Sequence, residues 1–178
     1  MNIDKLPAGK NPPYDVNVFI EIPLGGNPVK YELDKDSGIM MVDRFLHTAM
    51  HYPFNYGFIP HTLSQDGDPV DAAVVGQIPV SPGVVIRCRP VGVMLMEDEA
   101  GIDEKILCVP VDDLHPYYKN TTSYRDLPVI LIEQMEHFFS HYKDLEKGKW
   151  VKVKRWGEPQ EAMDMIMEGV ARAQEKGE

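Results

Sequence analysis

The chain has 178 residues, of which 43% are hydrophobic and 26% are charged, an ordinary composition for a folded, water-soluble protein. This length fits one domain, so we expect a single domain over residues 1–178. The formal net charge of −10 argues against nonspecific nucleic-acid binding, which needs a basic face.

Membrane and redox signals are weak along the whole chain. No apolar run approaches the roughly 20 residues of a membrane span, and the first residues lack the apolar core of a signal peptide. The two cysteines, Cys88 and Cys108, each lie in an apolar stretch and suggest no disulfide framework. The sequence therefore predicts a cytoplasmic protein that does not associate with membranes.

The first two thirds of the chain show the alternation typical of β-strands. Residues 16–22 alternate, and residues 29–33 alternate again with Lys30 and Glu32 on one face. Further strands are predicted, in chain order, at residues 39–46, 72–78, 84–96 and 105–111. Pro90, inside one of these runs, predicts a bulge, a break or an edge strand.

The run Asp66-Gly67-Asp68-Pro69-Val70-Asp71 places three carboxylates within six residues. Gly67 and Pro69 favour a tight turn. Like charges this close repel each other, and a cation among the oxygens relieves the repulsion. Because hard divalent cations such as Mg²⁺ prefer carboxylate oxygen, the run predicts a metal-binding turn, with a solvated acidic loop as the main alternative.

Two other interpretations of this turn can be compared with the sequence. An EF-hand loop needs Gly and Glu at its sixth and twelfth positions, where this chain has Asp71 and Gln77, so that interpretation fails. An aspartyl-phosphate phosphatase matches the pattern from Asp66 to Val70. Its nucleophile normally follows an apolar strand, whereas residues 61–65 are mostly polar, so this remains a weaker alternative.

A second acidic cluster, residues 97–104, lies between two predicted strands and is therefore predicted to be a hairpin loop. A solvated acidic hairpin explains it equally well when it is taken alone. If this loop and the Asp66–Asp71 turn lie at the same end of the sheet, the two together could bind several divalent cations.

The last third of the chain is predicted to be mainly helical. Apolar residues recur at helical spacing at Leu127, Ile130, Leu131, Met135, Phe138, Tyr142 and Leu145. Asp126 is the expected N-cap, Pro128 suits the first turn, and Gly148 is the expected stop. A short strand at 149–153 and a second helix from Pro159 follow. The fold class is therefore α+β, a β-barrel or strongly curved sheet with two C-terminal helices.

Two histidine pairs, His47 with His51 and His137 with His141, have the i, i+4 spacing of helical zinc ligands. The first pair lacks the Glu of H-E-x-x-H and is closely followed by Pro53. The second pair lies beside the apolar stripe of its helix. We favour a subunit interface over zinc for the second pair.

Several polar and aromatic segments accompany the acidic turn. They are Lys30-Tyr31-Glu32, Asp43-Arg44, residues 52–60, Asp98-Glu99 with Asp103 and Lys105, and His141-Tyr142-Lys143. Together with the D-x-D-P-x-D element, these segments resemble the soluble inorganic pyrophosphatases of family I. The resemblance runs from about Leu6 into the second C-terminal helix, and the compact length is similar to the bacterial form.

The resemblance implies a five-stranded OB-like barrel with two C-terminal helices packed against it. It implies hydrolysis of pyrophosphate to two orthophosphates by direct attack of a metal-activated water. Several Mg²⁺ ions would serve each active site, with Mn²⁺ or Zn²⁺ as substitutes. Bacterial members are usually homohexamers built as paired trimers, and His137 and His141 match positions at such an interface.

The resemblance also implies roles for individual residues. Five acidic residues would hold metal ions: Asp66, Asp71, Asp98, Asp103 and, near an additional metal, Glu21. Asp68 would be the general base. Five residues would hold the phosphates: Lys30, Arg44, Tyr56, Tyr142 and Lys143. Bound cations would also reconcile an acidic site with a multiply negative substrate. A nucleic-acid-binding OB module is disfavoured by the acidic charge.

Overall fold

The computed structural model describes residues 3–177 and contains eight strands and two α-helices. The strands are β1 (Val16–Ile22), β2 (Val29–Asp34), β3 (Ile39–Phe45), β4 (Asn55–Phe58), β5 (Asp71–Val74), β6 (Val85–Asp98), β7 (Gly101–Pro110) and β8 (Val151–Gly157). The helices are α1 (Val129–His141) and α2 (Pro159–Lys176). Short 3₁₀ turns lie at Ile3–Lys5, Pro116–Tyr118 and Tyr124–Asp126.

Five strands close into a barrel. The strand order is β1-β4-β5-β7-β6, and β6 pairs again with β1. Strand β6 is 14 residues long, so its beginning pairs with β1 while its end pairs with β8. The pairing of β6 with β7 shifts register between Pro90 and Gly92, so a bulge is the outcome among the three predicted at Pro90. The α+β fold with a five-stranded OB-like barrel is confirmed.

Strands β2 and β3 form a separate two-stranded hairpin outside the barrel. Their ends lie within one residue of the predicted strands. The antiparallel register pairs Lys30 with Arg44, which places two cationic side chains next to each other.

Strand β4 was not predicted, because residues 52–60 are dominated by aromatic residues and proline without alternation. Gly57 explains how the strand fits: a Cβ at this position would lie 1.8 Å from the carbonyl oxygen of Phe19 in β1. The absence of a side chain therefore allows β4 to approach β1 closely.

The hydrophobic core lies on both sides of the barrel wall. One cluster packs against α1 and contains Phe54, whose ring stacks on Phe139 at a centroid distance of 5.3 Å. The other packs against α2 through Ala162 and Ile166. Burial of each large apolar side chain contributes about 1.5–3 kcal/mol, which fixes both helices on the barrel.

The limits of the C-terminal elements differ from the prediction. Asp126 does not cap α1; its carboxylate instead accepts hydrogen bonds from the backbone N–H groups of Thr122 and Ser123. Pro128 occupies the N-cap position. The helix ends at His141, and Gly148, at φ +79°, lies in the turn before β8. Strand β8 accordingly runs later than the predicted 149–153.

The apolar stripe of α1 is only partly buried. Met135 and Phe138 are buried as predicted, but Ile130 and Leu145 are 60% and 66% exposed. Leu145 is exposed because it lies beyond the end of the helix. No helix within residues 3–177 combines the length and the apolar character that crossing a membrane requires.

Candidate active site

A polar cavity of about 120 Å³ lies between the barrel and the β2–β3 hairpin. Its charged and phenolic lining residues are Glu21, Lys30, Glu32, Lys35, Tyr56, Asp66, Asp68 and Asp71. Five of the predicted site residues outside the hairpin therefore meet in one cavity, together with Lys30. Arg44, Asp98, Asp103, Tyr142 and Lys143 lie outside its lining.

The run from Asp66 to Asp71 begins with the predicted tight turn. The N–H of Ser64 donates to the carbonyl of Asp68 at 2.7 Å, and Asp68 N–H donates to Asp66 Oδ1 at 3.0 Å. Gly67 has φ +96°, a conformation that glycine adopts readily. The turn thus holds Asp66 by a local hydrogen bond and leaves the Asp68 side chain in the cavity.

The two acidic segments meet because β5 and β7 are parallel neighbours. Asp71 lies opposite Lys105, whose Nζ is 2.5 Å from Asp71 Oδ2 and 2.7 Å from Asp103 Oδ2. The predicted hairpin loop at 97–104 is wrong in extent, since β6 continues to Asp98 and β7 starts at Gly101. Pairing of Asp98 with Gly101 leaves only a two-residue connection.

Lys105 contacts both acidic segments, although the sequence predicted no role for it. It is 5% exposed, so its charge depends on the two partly exposed carboxylates that it contacts. Burial alone would lower the pKa of its ammonium, but Asp71 and Asp103 hold that pKa well above its ordinary value. The position of Lys105 at the start of the predicted apolar strand 105–111 is the only sequence signal that points to such an ion pair.

Asp98 and Lys143 form a second buried pair, with Lys143 Nζ 2.8 Å from Asp98 Oδ2. Burial opposes ionisation of both groups. The lysine nevertheless holds the pKa of Asp98 below its usual range, and Tyr142 and Asp98 raise the pKa of Lys143. Asp98 thus contacts a predicted phosphate-binding residue rather than the Asp66–Asp71 turn.

The remaining cationic residues are also paired. Lys30 Nζ lies 3.0 Å from Asp43 Oδ2, and Arg44 Nη1 lies 3.4 Å from Glu146 Oε2. Within residues 3–177, Arg44 Nε and Glu146 Oε1 are the buried side-chain atoms without a hydrogen-bond partner. The Arg44 guanidinium therefore keeps unused donor capacity beside Lys30.

Tyr56 and Tyr142, the two tyrosines that were predicted to bind phosphate, are held by aromatic packing. Tyr142 stacks on Phe138 at 5.1 Å, and Tyr56 lies 6.2 Å from Phe139. Burial raises the pKa of Tyr56 well above its usual value, so its hydroxyl stays protonated. A protonated hydroxyl is a neutral hydrogen-bond donor.

Two cavity carboxylates have pKa values raised by burial. The pKa of Glu21 rises to about 8, against the opposing hydrogen bond that Leu33 N–H donates to Glu21 Oε1 at 2.8 Å. The pKa of Asp68 also rises, with Asp66 adding to the effect of burial. Burial likewise raises the pKa of Asp103, which Lys105 opposes. These shifts mark a site that favours added positive charge.

The carboxylate oxygens of Asp71 and Asp103 are ligands of the kind that a hard divalent cation prefers. They already surround one positive charge, the ammonium of Lys105. Among residues 3–177, no three acidic, histidine or cysteine side chains are already arranged to hold a metal ion. The ammonium of Lys105 instead bridges Asp71 and Asp103.

Neither histidine pair belongs to a group of three possible metal ligands among residues 3–177. His47 and His51 are not on a helix, and each Nδ1 contacts a different backbone carbonyl, those of Leu145 and Gly26. His137 and His141 lie on α1 with ring centroids 4.6 Å apart, and His141 Nδ1 contacts Asp144.

Comparisons with known proteins agree on one family. Residues 18–174 match the family model described as inorganic pyrophosphatase. The chain is 63% identical to the inorganic pyrophosphatase of Caulobacter vibrioides, over 98% of this chain and 99% of that protein. It is 66% identical to the inorganic pyrophosphatase of Rhodospirillum rubrum, over 96% of each chain.

Solved structures give the same result. The inorganic phosphatase of Anaplasma phagocytophilum superposes with a TM-score of 0.94 at 48% identity, over 96% of this chain and 99% of that one. The inorganic pyrophosphatase of Thermus thermophilus superposes with a TM-score of 0.91 at 41% identity, over 98% and 99% of the two chains.

Proposed function

This chain belongs to the inorganic pyrophosphatase family and hydrolyses pyrophosphate, and on that premise we propose how its own residues perform the reaction. The observation that carries the proposal is the contact of Lys105 with both Asp71 and Asp103. This contact brings the second acidic segment to the edge of the cavity that contains Asp68.

We propose Mg²⁺ as the cofactor, with Mn²⁺ or Zn²⁺ as substitutes. Asp66, Asp71 and Asp103 would hold a metal pair, Asp98 would share a further ion with Asp103, and Glu21 would lie near an additional one. The carboxylate donor set supports this assignment. Bound Mg²⁺ lowers the pKa of water and offsets the negative charge of pyrophosphate.

Asp68 is the proposed general base. Its side chain lines the cavity. The backbone hydrogen bond within the turn is accepted by the carboxylate of Asp66, so it does not engage the carboxylate of Asp68. The pKa of Asp68 is raised by burial, which increases its ability to accept a proton from the attacking water.

Lys30, Arg44, Tyr56, Tyr142 and Lys143 are the proposed phosphate-binding residues. Arg44 presents a planar fork suited to phosphate oxygens, and Lys143 presents a point charge. Both cations now contact carboxylates, Glu146 and Asp98 respectively. Phosphate oxygens would replace these partners and receive the same charge-assisted hydrogen bonds during leaving-group departure.

Direct attack by water competes with a covalent route through Asp66. Water attack is favoured because Asp66 follows a polar coil rather than an apolar strand, and its Oδ1 is occupied by Asp68 N–H. The covalent route predicts a phosphoenzyme that can be trapped during turnover. Acid-quenched enzyme with phosphate on Asp66 would overturn direct attack.

We further propose a homohexamer built from two trimers, in the cytoplasm, with one pyrophosphatase domain over residues 1–178 and no nucleic-acid partner. The hexamer is supported by an apolar groove of about 490 Å³ that includes Ile130, His137 and Phe138. The unpaired buried thiols of Cys88 and Cys108 support a reducing compartment. Analytical ultracentrifugation would measure the assembly.

One assay tests the function and the cofactor together. We expect phosphate release from pyrophosphate with Mg²⁺ and little release after chelation. ATP and a phosphate monoester are the controls, and we expect both to react slowly. Release that is equal for all three substrates, or that is unchanged by chelation, would contradict the proposal.

A further inference from the structure

A buried hydrogen bond between Ser64 and Glu104 connects the acidic turn to strand β7. Ser64 closes the turn, because its N–H donates to the Asp68 carbonyl at 2.7 Å and its carbonyl accepts from Gly67 N–H at 3.3 Å. Ser64 Oγ donates to Glu104 Oε1 at 2.5 Å, and both residues are 8% exposed. The turn and β7 are therefore joined by a hydrogen bond that is shielded from solvent.

Glu104 lies between two residues of the candidate site on β7. Asp103 precedes it and Lys105 follows it, and the alternation of a strand directs both to the face opposite Glu104. On one face Lys105 binds Asp71, and on the other Glu104 binds Ser64. Strand β7 thus contacts the last residue of the Asp66–Asp71 run through Lys105 and the residue that closes the turn, Ser64, through Glu104.

Other elements fix the flanks of this segment. Arg172 Nε in α2 donates to the carbonyl of Leu63 at 2.7 Å, and Val70 N–H donates to Thr62 Oγ1 at 2.9 Å. These contacts hold the residues on either side but do not tie residues 64–68 to β7. Within the described part of the chain, the Ser64 hydroxyl is the hydrogen-bond donor that reaches the Glu104 carboxylate.

We propose that Ser64 and Glu104 are positioning residues for pyrophosphate hydrolysis, and that their hydrogen bond sets the position of Asp66 and Asp68 relative to Asp103. The inference rests on the proposed function, since it concerns the carboxylates assigned to Mg²⁺ and to proton transfer. Neither Ser64 nor Glu104 lines the cavity, so both act through the turn. Substituting residues that hold metal ligands in place typically lowers metal affinity or activity about 10–100-fold.

The test is a double-mutant cycle with Ser64→Ala and Glu104→Met. Mg²⁺ affinity is measured by titration calorimetry without substrate, and kcat and KM are measured at saturating Mg²⁺. We expect each single variant to bind Mg²⁺ about 10–100-fold more weakly and to lose kcat, with KM for pyrophosphate little changed. The double variant should lose no more than the worse single variant, because both changes remove the same bond.

Two further variants distinguish positioning from general destabilisation. Glu104→Gln keeps an acceptor for Ser64 and should restore Mg²⁺ affinity and kcat close to those of the unchanged chain. Ser123→Ala removes a hydroxyl that contacts Glu158 between the turn before α1 and the start of α2, and should alter neither value. Additive losses in the double variant, or intact Mg²⁺ affinity and kcat in Ser64→Ala, overturn the proposal.

Asp71→Asn separates this inference from the function on which it rests. If Asp71→Asn leaves Mg²⁺ binding unchanged, the metal assignment itself fails. If Asp71→Asn abolishes binding while Ser64→Ala leaves binding and kcat unchanged, the metal assignment stands and the positioning role of the hydrogen bond fails.

Discussion

Asp71 and Lys105 face each other across the parallel pairing of β5 and β7, and their side chains form an ion pair of 2.5 Å. The same ammonium contacts Asp103 on β7. Lys105 therefore supplies positive charge between two carboxylates that would otherwise repel each other. On the proposed assignment of Asp71 and Asp103 to Mg²⁺, stability and metal binding would be coupled at this point.

Lys105→Met should lower the stability of the protein against urea, and added Mg²⁺ should restore part of that stability. Removing one partner of a fully buried ion pair costs about 3–5 kcal/mol. We expect a smaller loss here, because Asp71 and Asp103 are partly exposed, although they would repel each other without the lysine. Mg²⁺ would then replace the missing charge. We expect a lower urea midpoint than that of the unchanged protein, and a larger rise of that midpoint on addition of Mg²⁺.

Lys154→Met is the matched control, because Lys154 pairs with Glu97 in a partly exposed position. A surface pair of this kind contributes about 0–1 kcal/mol. Its midpoint should move little and should respond to Mg²⁺ as the unchanged protein does. Equal Mg²⁺ responses in both variants would show that Lys105 does not occupy the metal region.

Asp68→Asn and Asp71→Asn should fail in different ways. Asp68→Asn should lower kcat by the factor of a general base, about 10²–10⁴, while Mg²⁺ affinity is largely kept. Asp71→Asn should weaken Mg²⁺ binding and abolish turnover. Calorimetry for Mg²⁺ and steady-state kinetics for pyrophosphate separate the two effects.

Asp164→Asn on α2 is the control for these two substitutions, since its carboxylate contacts only Gln160 among the hydrogen bonds within residues 3–177. Its kcat and Mg²⁺ affinity should equal those of the unchanged protein. If Asp68→Asn instead loses Mg²⁺ affinity as strongly as Asp71→Asn, the division of roles within the turn is wrong.

Local sequence patterns predicted several parts of this structure that depend on neighbouring residues. The extent of β1 and the tight turn at Gly67 are local features that were predicted correctly, and the bulge near Pro90 is one of the three outcomes predicted there. The partner of Lys105 could not be predicted in this way, because Asp71 is 34 positions away and meets it through strand pairing. The same holds for Asp98 and Lys143, which are 45 positions apart.

Cys88 and Cys108 should resist thiol reagents while the protein is folded. Both are fully buried, and burial raises the pKa of Cys108 to about 12 and that of Cys88 well above its usual value. The thiolate is the reactive form, so little of it is present at pH 8. We expect Ellman's reagent to label almost no thiol in native protein and two per chain in guanidinium chloride. Rapid labelling of native protein would contradict the buried barrel position of both residues.

Gly67→Ala should impair Mg²⁺ binding as well as stability. Gly67 has φ +96°, and a Cβ there would meet nothing within 4 Å, so the cost is backbone strain, about 1–2 kcal/mol, rather than a clash. Relief of that strain would move Asp66 and Asp68. Gly25→Ala is matched, since Gly25 has φ +64° and equally open space but lies in the β1–β2 connection. We expect both variants to unfold at lower urea concentrations, and only Gly67→Ala to bind Mg²⁺ more weakly in calorimetry. Equal Mg²⁺ affinities in the two variants would mean that the conformation of Gly67 does not position the carboxylates.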